Sequence, residues 1–440
     1  MSQVVPSIER GGGPAQGPPD ALSLPGLGVA GLFVAAVLGV MYKLRESGRL
    51  LTSAWGHDSH IFGARFGFQL AVLLVGAAVL QFVPRRWAPW VLVADGLVCL
   101  AVYGPQMLFL SLGLLLAWFG LLELPLRPVL RLLVGGGFLA LLGILGAMRV
   151  LPRAYEFSMM FSLRLVMYAW HRWQHGFAKE RFPEYALFVL LPPLVVLPPY
   201  LTIIPFYGEH VDQFMPRLDR RRLRRAFIHL ALGLGYALAL GYAVGPAVGR
   251  GLNPAFKGLD RLVPGLGIGL LPTVRLYVEY LLMVARVAEV AHLSYGLLLI
   301  YGMEFRLPIN RPLLARSYVE LWSRFQIHQK DLQVALFYTP TLMRYRQKNR
   351  YLVIVASLVL ALVVGNTLLH VLIRYVYNID TLTWTTIAAL RTNVLMTGIL
   401  AATLCLMEWR ARHHQRPPTG ALWKGLTWFG TLTVAAWMSH

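Results

Sequence analysis

The sequence predicts an all-α protein embedded in a membrane, and three observations carry that prediction. Hydrophobic residues make up 57% of the 440 residues, and the mean hydropathy is +0.58. Charged residues are 14%, against roughly 25% in soluble domains, too few to cover that much apolar surface. Apolar runs of spanning length recur almost without pause, and in lipid such runs form helices, because each backbone polar group must be satisfied within its own segment.

The elements follow in order. Residues 1–24 are polar and rich in Pro and Gly, and lack a basic stretch before the first apolar run. They are expected to be a disordered tail rather than a cleaved signal. Residues 25–440 are expected to form one transmembrane domain. Spans are expected at 25–42, 63–84, 88–104, 106–124 and 128–150, then a shorter mixed segment at 155–172. Further spans are expected at 185–206, 226–249, 267–303 (long enough to be broken), 351–377, 386–408 and 420–438, giving about ten or eleven. The 27 Pro and 41 Gly fit this picture, since both are frequent in membrane helices. No internal repeat is visible, which argues against a transporter built from symmetric halves.

Two segments break the pattern. Pro192, Pro193, Pro198, Pro199 and Pro205 puncture 185–206. Each removes a backbone donor and clashes with the preceding turn, so a re-entrant or broken helix lining a cavity is expected. Residues 311–345 mix aromatics with Arg316, Glu320, Arg324, His328, Lys330 and Asp331. They are too polar to span and are expected to form an amphipathic helix at the interface or over a cavity.

The net charge is +21. No basic-aromatic domain stands apart from the apolar runs, so nucleic acid is not the expected partner; the lipid bilayer is. Lys43, Arg45 and Arg49 follow the first span, which puts the N-terminus outside by the positive-inside rule. The runs Arg217, Arg220–Arg222, Arg224, Arg225 and Arg410, Arg412, Arg416 are expected to mark cytoplasmic loops. Cys99 and Cys405 both lie in apolar segments and read as small core residues, which excludes a disulfide framework and a Cys-based metal site.

Chemistry points to His370. It lies in the apolar run Tyr351–Tyr377, where an ionisable side chain is costly and therefore a functional candidate. Asn366 and Arg374 sit one turn before and after it, on the same helix face. An imidazole titrates near neutral pH, so His370 is a candidate general base. Asn366 could orient that ring or donate to an oxyanion; equally, it could make an interhelical hydrogen bond. Arg374 reads as an interface anchor or a donor-binding residue. His171 and His175 are spaced i, i+4, as a helical metal pair would be, but no third ligand is near and Trp170 and Trp173 suggest an aromatic belt. No metal is expected. His57, His60, His413 and His414 read as loop residues. No phosphate-cradling loop, nucleophile elbow or H-E-x-x-H is present.

The stretch Asn310-Arg-Pro-Leu-Leu-Ala-Arg-Ser-Tyr-Val-Glu-Leu-Trp-Ser-Arg-Phe-Gln-Ile-His328 resembles the signature of the membrane-bound O-acyltransferase (MBOAT) family. In its bacterial branch of alginate-type O-acetyltransferases and D-alanyl transferases this runs roughly N-R-P-Y-x-x-x-S-x-x-E-F-W-R-R-W-H-I-S. Asn310, Arg311, Pro312, Ser317, Glu320, Trp322, Arg324 and Ile327 fall in register. The proline-rich 190–218 is similar to the family's F-P-x-L-x-x-G-P-I loop, and His370 falls where the family has its near-invariant His. The resemblance covers about 150–375. Departures are Gln326 in place of the signature His, Leu369 and Val371 flanking His370, and an apolar 279–291 where the family is polar.

The resemblance implies an MBOAT-like fold and transfer of an acyl group, acetyl in the branch resembled, from a cytoplasmic thioester (acyl-CoA or acyl carrier protein) to a hydroxyl at the other face. The acceptor would be an exported polysaccharide or a relay partner, and the site a bacterial inner membrane; no tightly bound cofactor is implied. His370 would be the base. Gln326, which cannot be a base, would position or polarise. His328 is two residues on, turned about 200° around the helix. His328, Glu320, Trp322, Arg324 and Arg374 would line the tunnel or meet substrate, or else pack and pair. Two other readings stay open: a catalytically inactive MBOAT-like scaffold or lipid-binding subunit, and a transporter for a lipid-linked precursor.

Overall fold

The computed structural model describes residues 72–101 (save 74, 81, 85 and 86), 105–147, 155–177, 181–191, 220–239, 266–325, 327–367, 382–413 and 421–438. The tail, the first span with Lys43, Arg45 and Arg49, His57, His60, Pro192–Pro205, Arg217, Gln326, His370, Arg374, His414 and Arg416 lie outside the described residues.

Every regular element among the described residues is helical. The first five are α1 (Ala88–Ala101), α2 (Pro105–Glu123), α3 (Pro128–Ala147), α4 (Tyr155–Gln174) and α5 (Phe182–Leu190). Pro105, Pro128 and Pro183 sit at or near helix starts, where a missing N–H costs nothing. Leu191 leaves the helical region (φ −45°, ψ 109°), ending α5, because the residue before Pro192 is sterically pushed to extended backbone. The re-entrant or broken helix expected over Pro192–Pro205 lies outside the described residues. These helices bury one core: Leu92, Trp118, Tyr168, Tyr185 and Phe188, joined by Tyr301 from the turn at 301–302.

The helices α6 (Arg220–Leu238) and α7 (Leu266–Ile300) form the tightest pair. Glycines let their backbones approach, as small residues do between membrane helices. A Cβ on Gly296 would lie 2.8 Å from Leu230 and 3.1 Å from the Ala226 carbonyl; one on Gly233 would lie 2.7 Å from Leu293. His229 and His292 meet across the pair, Nδ1 to Nδ1 at 2.7 Å.

Three expectations are corrected here. Arg220–Arg225 is not a loop: it opens α6. Its repulsion is offset where Arg225 pairs with Glu304, Arg222 stands 3.9 Å from the same carboxylate, and Arg225 donates to the Tyr295 hydroxyl at 2.8 Å. The 267–303 segment is not broken: it holds the single helix α7, buried on α6. Residues 311–345 are not one amphipathic helix. They form a short turn (Pro312–Leu314), α8 (Tyr318–Arg324), α9 (Ile327–Gln333), a π-helical turn (Val334–Tyr338) and α10 (Thr339–Arg344).

The chain continues through α11 (Arg350–Leu358), a π-helical stretch (Val359–Asn366), α12 (Leu382–Arg412) and α13 (Ala421–Met438). Asn349 caps α11, its side chain accepting from the Tyr351 N–H at 3.0 Å, which satisfies an orphan donor. Against the expected ten or eleven spans, two described helical stretches, Val274–Ile300 and Leu390–Arg412, are long and apolar enough to cross a membrane by length and composition. Shorter apolar helices run over Ala88–Ala101, Leu108–Glu123, Pro128–Phe138 and Arg350–Asn366.

Candidate functional site

The site builds from the Asn310–His328 segment upward. Arg311 adopts left-handed backbone (φ 47°, ψ 57°), uncommon for a side-chain-bearing residue and a local cost that surrounding contacts must offset. The contacts are on the page: the Asn310 N–H donates to the Arg324 carbonyl at 2.8 Å, and the Ile327 N–H to the Pro308 carbonyl at 2.9 Å. The far end of the segment is thereby folded back onto its start.

Glu320 and Arg324 maintain that fold. Ser317 is the N-cap of α8, accepting from the Glu320 N–H at 3.1 Å, and the Glu320 carboxylate accepts from the Arg316 N–H at 2.6 Å. This is a capping-box arrangement shifted by one residue. Glu320 also pairs with Arg324 one turn on. Asn310, Arg311, Leu314, Arg316, Glu320 and Arg324 enclose a cleft of about 450 Å³ with a net basic rim. Trp322 packs against the buried cluster that includes Ile354, Leu358 and Leu400. Burial, with Tyr280 adding to it, pushes the Tyr318 phenol well above its ordinary value, so it stays neutral.

His328 is buried, and its Nε2 meets the Arg306 carbonyl at 2.6 Å. That ring ties α9 to the strand of chain before the signature, a positioning role.

Asn366 joins α9 to α12. It is 6% exposed. Its Oδ1 accepts from Gln329 Nε2 and Gln333 Nε2, each at 2.6 Å. Its Nδ2 donates to Asn393 Oδ1 at 2.7 Å. Asn393 Nδ2 donates to Thr367 Oγ1 at 2.8 Å, and Thr397 donates to the Asn393 carbonyl at 2.7 Å. The interhelical bond weighed for Asn366 is therefore the one observed. With both Oδ1 lone pairs used, Asn366 can act on residues beyond it only through Nδ2. Two π-helical turns cross beside this node. Gly365 allows it, since a Cβ there would lie 2.6 Å from the Phe337 ring. Such widened turns recur at functional sites.

The structure thus joins Asn366 to the continuation of the signature, and packs Trp322 against α11 and α12. Glu320 and Arg324 hold the segment's own backbone, and His328 holds the chain just before it. The stretch that leads to His370 begins one residue past Asn366, at the edge of the described residues.

Gln329, Gln333 and Asn393 were not singled out in the sequence. The i, i+4 pair Gln329/Gln333 and a lone Asn in the apolar 386–408 run were the available signals. Two buried cations in α4 were missed as well. Arg164 is 3% exposed and donates Nη1 to the Val189 carbonyl at 2.5 Å; its Nη2 has no hydrogen-bond partner among the described residues. Arg172 is fully buried and pairs with Glu123 at 2.6 Å and Tyr168 at 3.0 Å. His175 Nδ1 meets the His171 carbonyl at 2.9 Å, and no group of three His, Cys, Asp or Glu suited to a metal occurs among the described residues.

No protein-family model matches the chain, and no curated protein sequence matches it at a significant level.

Proposed function

We propose that this chain is a polytopic membrane protein of the MBOAT type that transfers an acyl group from a cytoplasmic thioester to a hydroxyl. One observation carries the reading. The polar node Gln329/Gln333–Asn366–Asn393 joins α9, which continues the signature-like segment, to Asn366, four residues before His370 in the sequence, and an acyltransferase of this type must bring those two parts of the chain together. Roughly 20–24 Å of helix axis separates Asn366 from the charged start of α11 at Arg350, a depth that suits a bilayer site. The bilayer reading is supported by the apolar side chains left exposed on outward helix faces, among them Phe109, Leu133, Leu352 and Phe429, a surface water would not tolerate.

The chemistry asked of the site is limited. The His370 imidazole takes the proton of the acceptor hydroxyl as its oxygen attacks the thioester carbonyl. The C–S bond breaks, and the imidazolium returns the proton to the leaving thiolate. A positioned base is worth about 10²–10⁴-fold in rate.

His370→Ala, expressed in the native membrane, is expected to remove the acyl mass from extracellular glycans, with wild-type protein levels in the membrane. Unchanged acylation in that strain would end the enzyme reading. A second reading, an inactive MBOAT-like scaffold, is favoured by the way Asn366, Glu320 and Arg324 are already satisfied by neighbours. It predicts that deleting the whole protein removes a partner's activity while His370→Ala does not.

A further inference from the structure

A groove away from that site fits a phospholipid. It lies between α2, α3 and α4, has a volume of about 530 Å³, and is floored by Leu336 and Phe337 of the first π-helical turn. Its mouth is at the level of the α2–α3 turn. The Glu123–Arg172 ion pair, at 2.6 Å, shows that the ends of α2 and α4 stand at the same height. Trp170 and Trp173 line the groove there, in the pattern of an aromatic belt at a membrane interface.

Charge at the mouth is unbalanced. Glu123 is taken by Arg172. Arg131, one turn into α3, donates Nε to the Leu126 carbonyl at 2.9 Å and Nη1 to the Leu122 carbonyl at 3.0 Å. Its guanidinium lies 4.9 Å from the Phe177 ring centroid. These contacts fix the group in place, yet among the described residues no carboxylate neutralises it and no acceptor takes Nη2.

Below Arg131 the groove is apolar. Gly135 and Gly136 follow one turn deeper. At Gly135 the Trp118 indole forms the wall, 3.0 Å from where a Cβ would stand, whereas at Gly136 a Cβ would meet nothing within 4 Å. The absent side chain at Gly136 leaves the slot open along α3.

We propose that this groove binds an anionic phospholipid, its phosphate on Arg131 and one acyl chain lying over Trp118 and Gly136 toward Phe337. A fixed cation at the interface above an apolar slot selects for that pairing, as basic pockets between membrane helices do. A soluble phosphate would use the cation but leave the slot empty. The proposal rests on the bilayer part of the reading above, not on acyl transfer.

The test is native mass spectrometry of the full chain released from nanodiscs containing equal phosphatidylglycerol and phosphatidylcholine. Retention of phosphatidylglycerol over phosphatidylcholine is expected. Arg131→Gln should reduce it about tenfold, the order expected for a charge-assisted contact. Arg127→Gln, an exposed arginine on the same turn, should leave it unchanged. Gly136→Leu puts a side chain into the slot from a position where a Cβ meets nothing within 4 Å and should displace the lipid, which keeps the test decisive if Arg131→Gln fails to fold. Equal retention of both lipids, equal loss in the two arginine variants, or undiminished retention in Gly136→Leu overturns the proposal. Release of the protein from native membranes by carbonate would instead overturn the bilayer reading beneath it.

Discussion

Asn366 shows how one amide can organise a buried crossing. Three side chains from two other helices spend their hydrogen bonds on it, and two of them, Gln333 and Asn393, are buried away from water. Replacing it with Leu removes all three partners at once. Leaving buried polar groups unmade costs about 1–3 kcal/mol for each, so Asn366→Leu is expected to destabilise the protein by about 2–4 kcal/mol, read as a lowered melting temperature in detergent. Gln329→Ala should cost far less, because Gln333 still supplies Oδ1. If the two variants melt alike, the node is not holding the helices together. The same residue explains why the sequence misled in part: an Asn one turn from a His looks like its helper, yet hydrogen bonds go to whatever polar group packing brings close. Nothing within 366–374 announces that Gln329 and Asn393 are its neighbours.

Among elements, the α6–α7 pair is the sharpest case. Both segments were legible as apolar helices, because hydropathy and helical period are local properties. That they would press glycine against leucine was not, since it depends on the relative rotation of two helices distant in the chain. Gly296→Leu is expected to force them apart, at about 1–3 kcal/mol or more for an overpacked contact. Gly235→Leu, on α6 but facing open space, should leave the melting temperature near wild type or above it, since Gly is a poor helix former. Equal destabilisation by both would refute the packing described. The arginine run at 220–225 illustrates a different limit. Charge density suggested a loop, but Glu304 and Tyr295 offset enough of the repulsion for a helix to start there. Likewise the polar mixture at 311–345 suggested one interfacial helix. The left-handed Arg311 and the folding of Arg324 back onto Asn310 turn it into a compact knot instead.

At the scale of the whole molecule, Glu408 links the ends of two helices: it stands 3.3 Å from Arg350 and 3.2 Å from Arg412. The start of α11 and the end of α12 must therefore face the same side of any membrane. In a background lacking Cys99 and Cys405, Lys348→Cys and Arg410→Cys are expected to react with an impermeant thiol reagent from one side only, the cytoplasmic one. Labelling of the two from opposite sides would contradict the arrangement of α11 and α12. Labelling of both from outside would keep the arrangement and reverse the positive-inside assignment.

Composition and periodicity were sufficient for a helical, strongly apolar chain with one conspicuous histidine late in it, because transfer free energy and helical repeat are written residue by residue. Which polar groups pair across helices, and that Arg131 stands unneutralised over an open slot, were decided only by the fold. Those facts depend on distances between segments far apart in the chain, and hydrogen bonds and charges act over a few ångströms of space rather than along it.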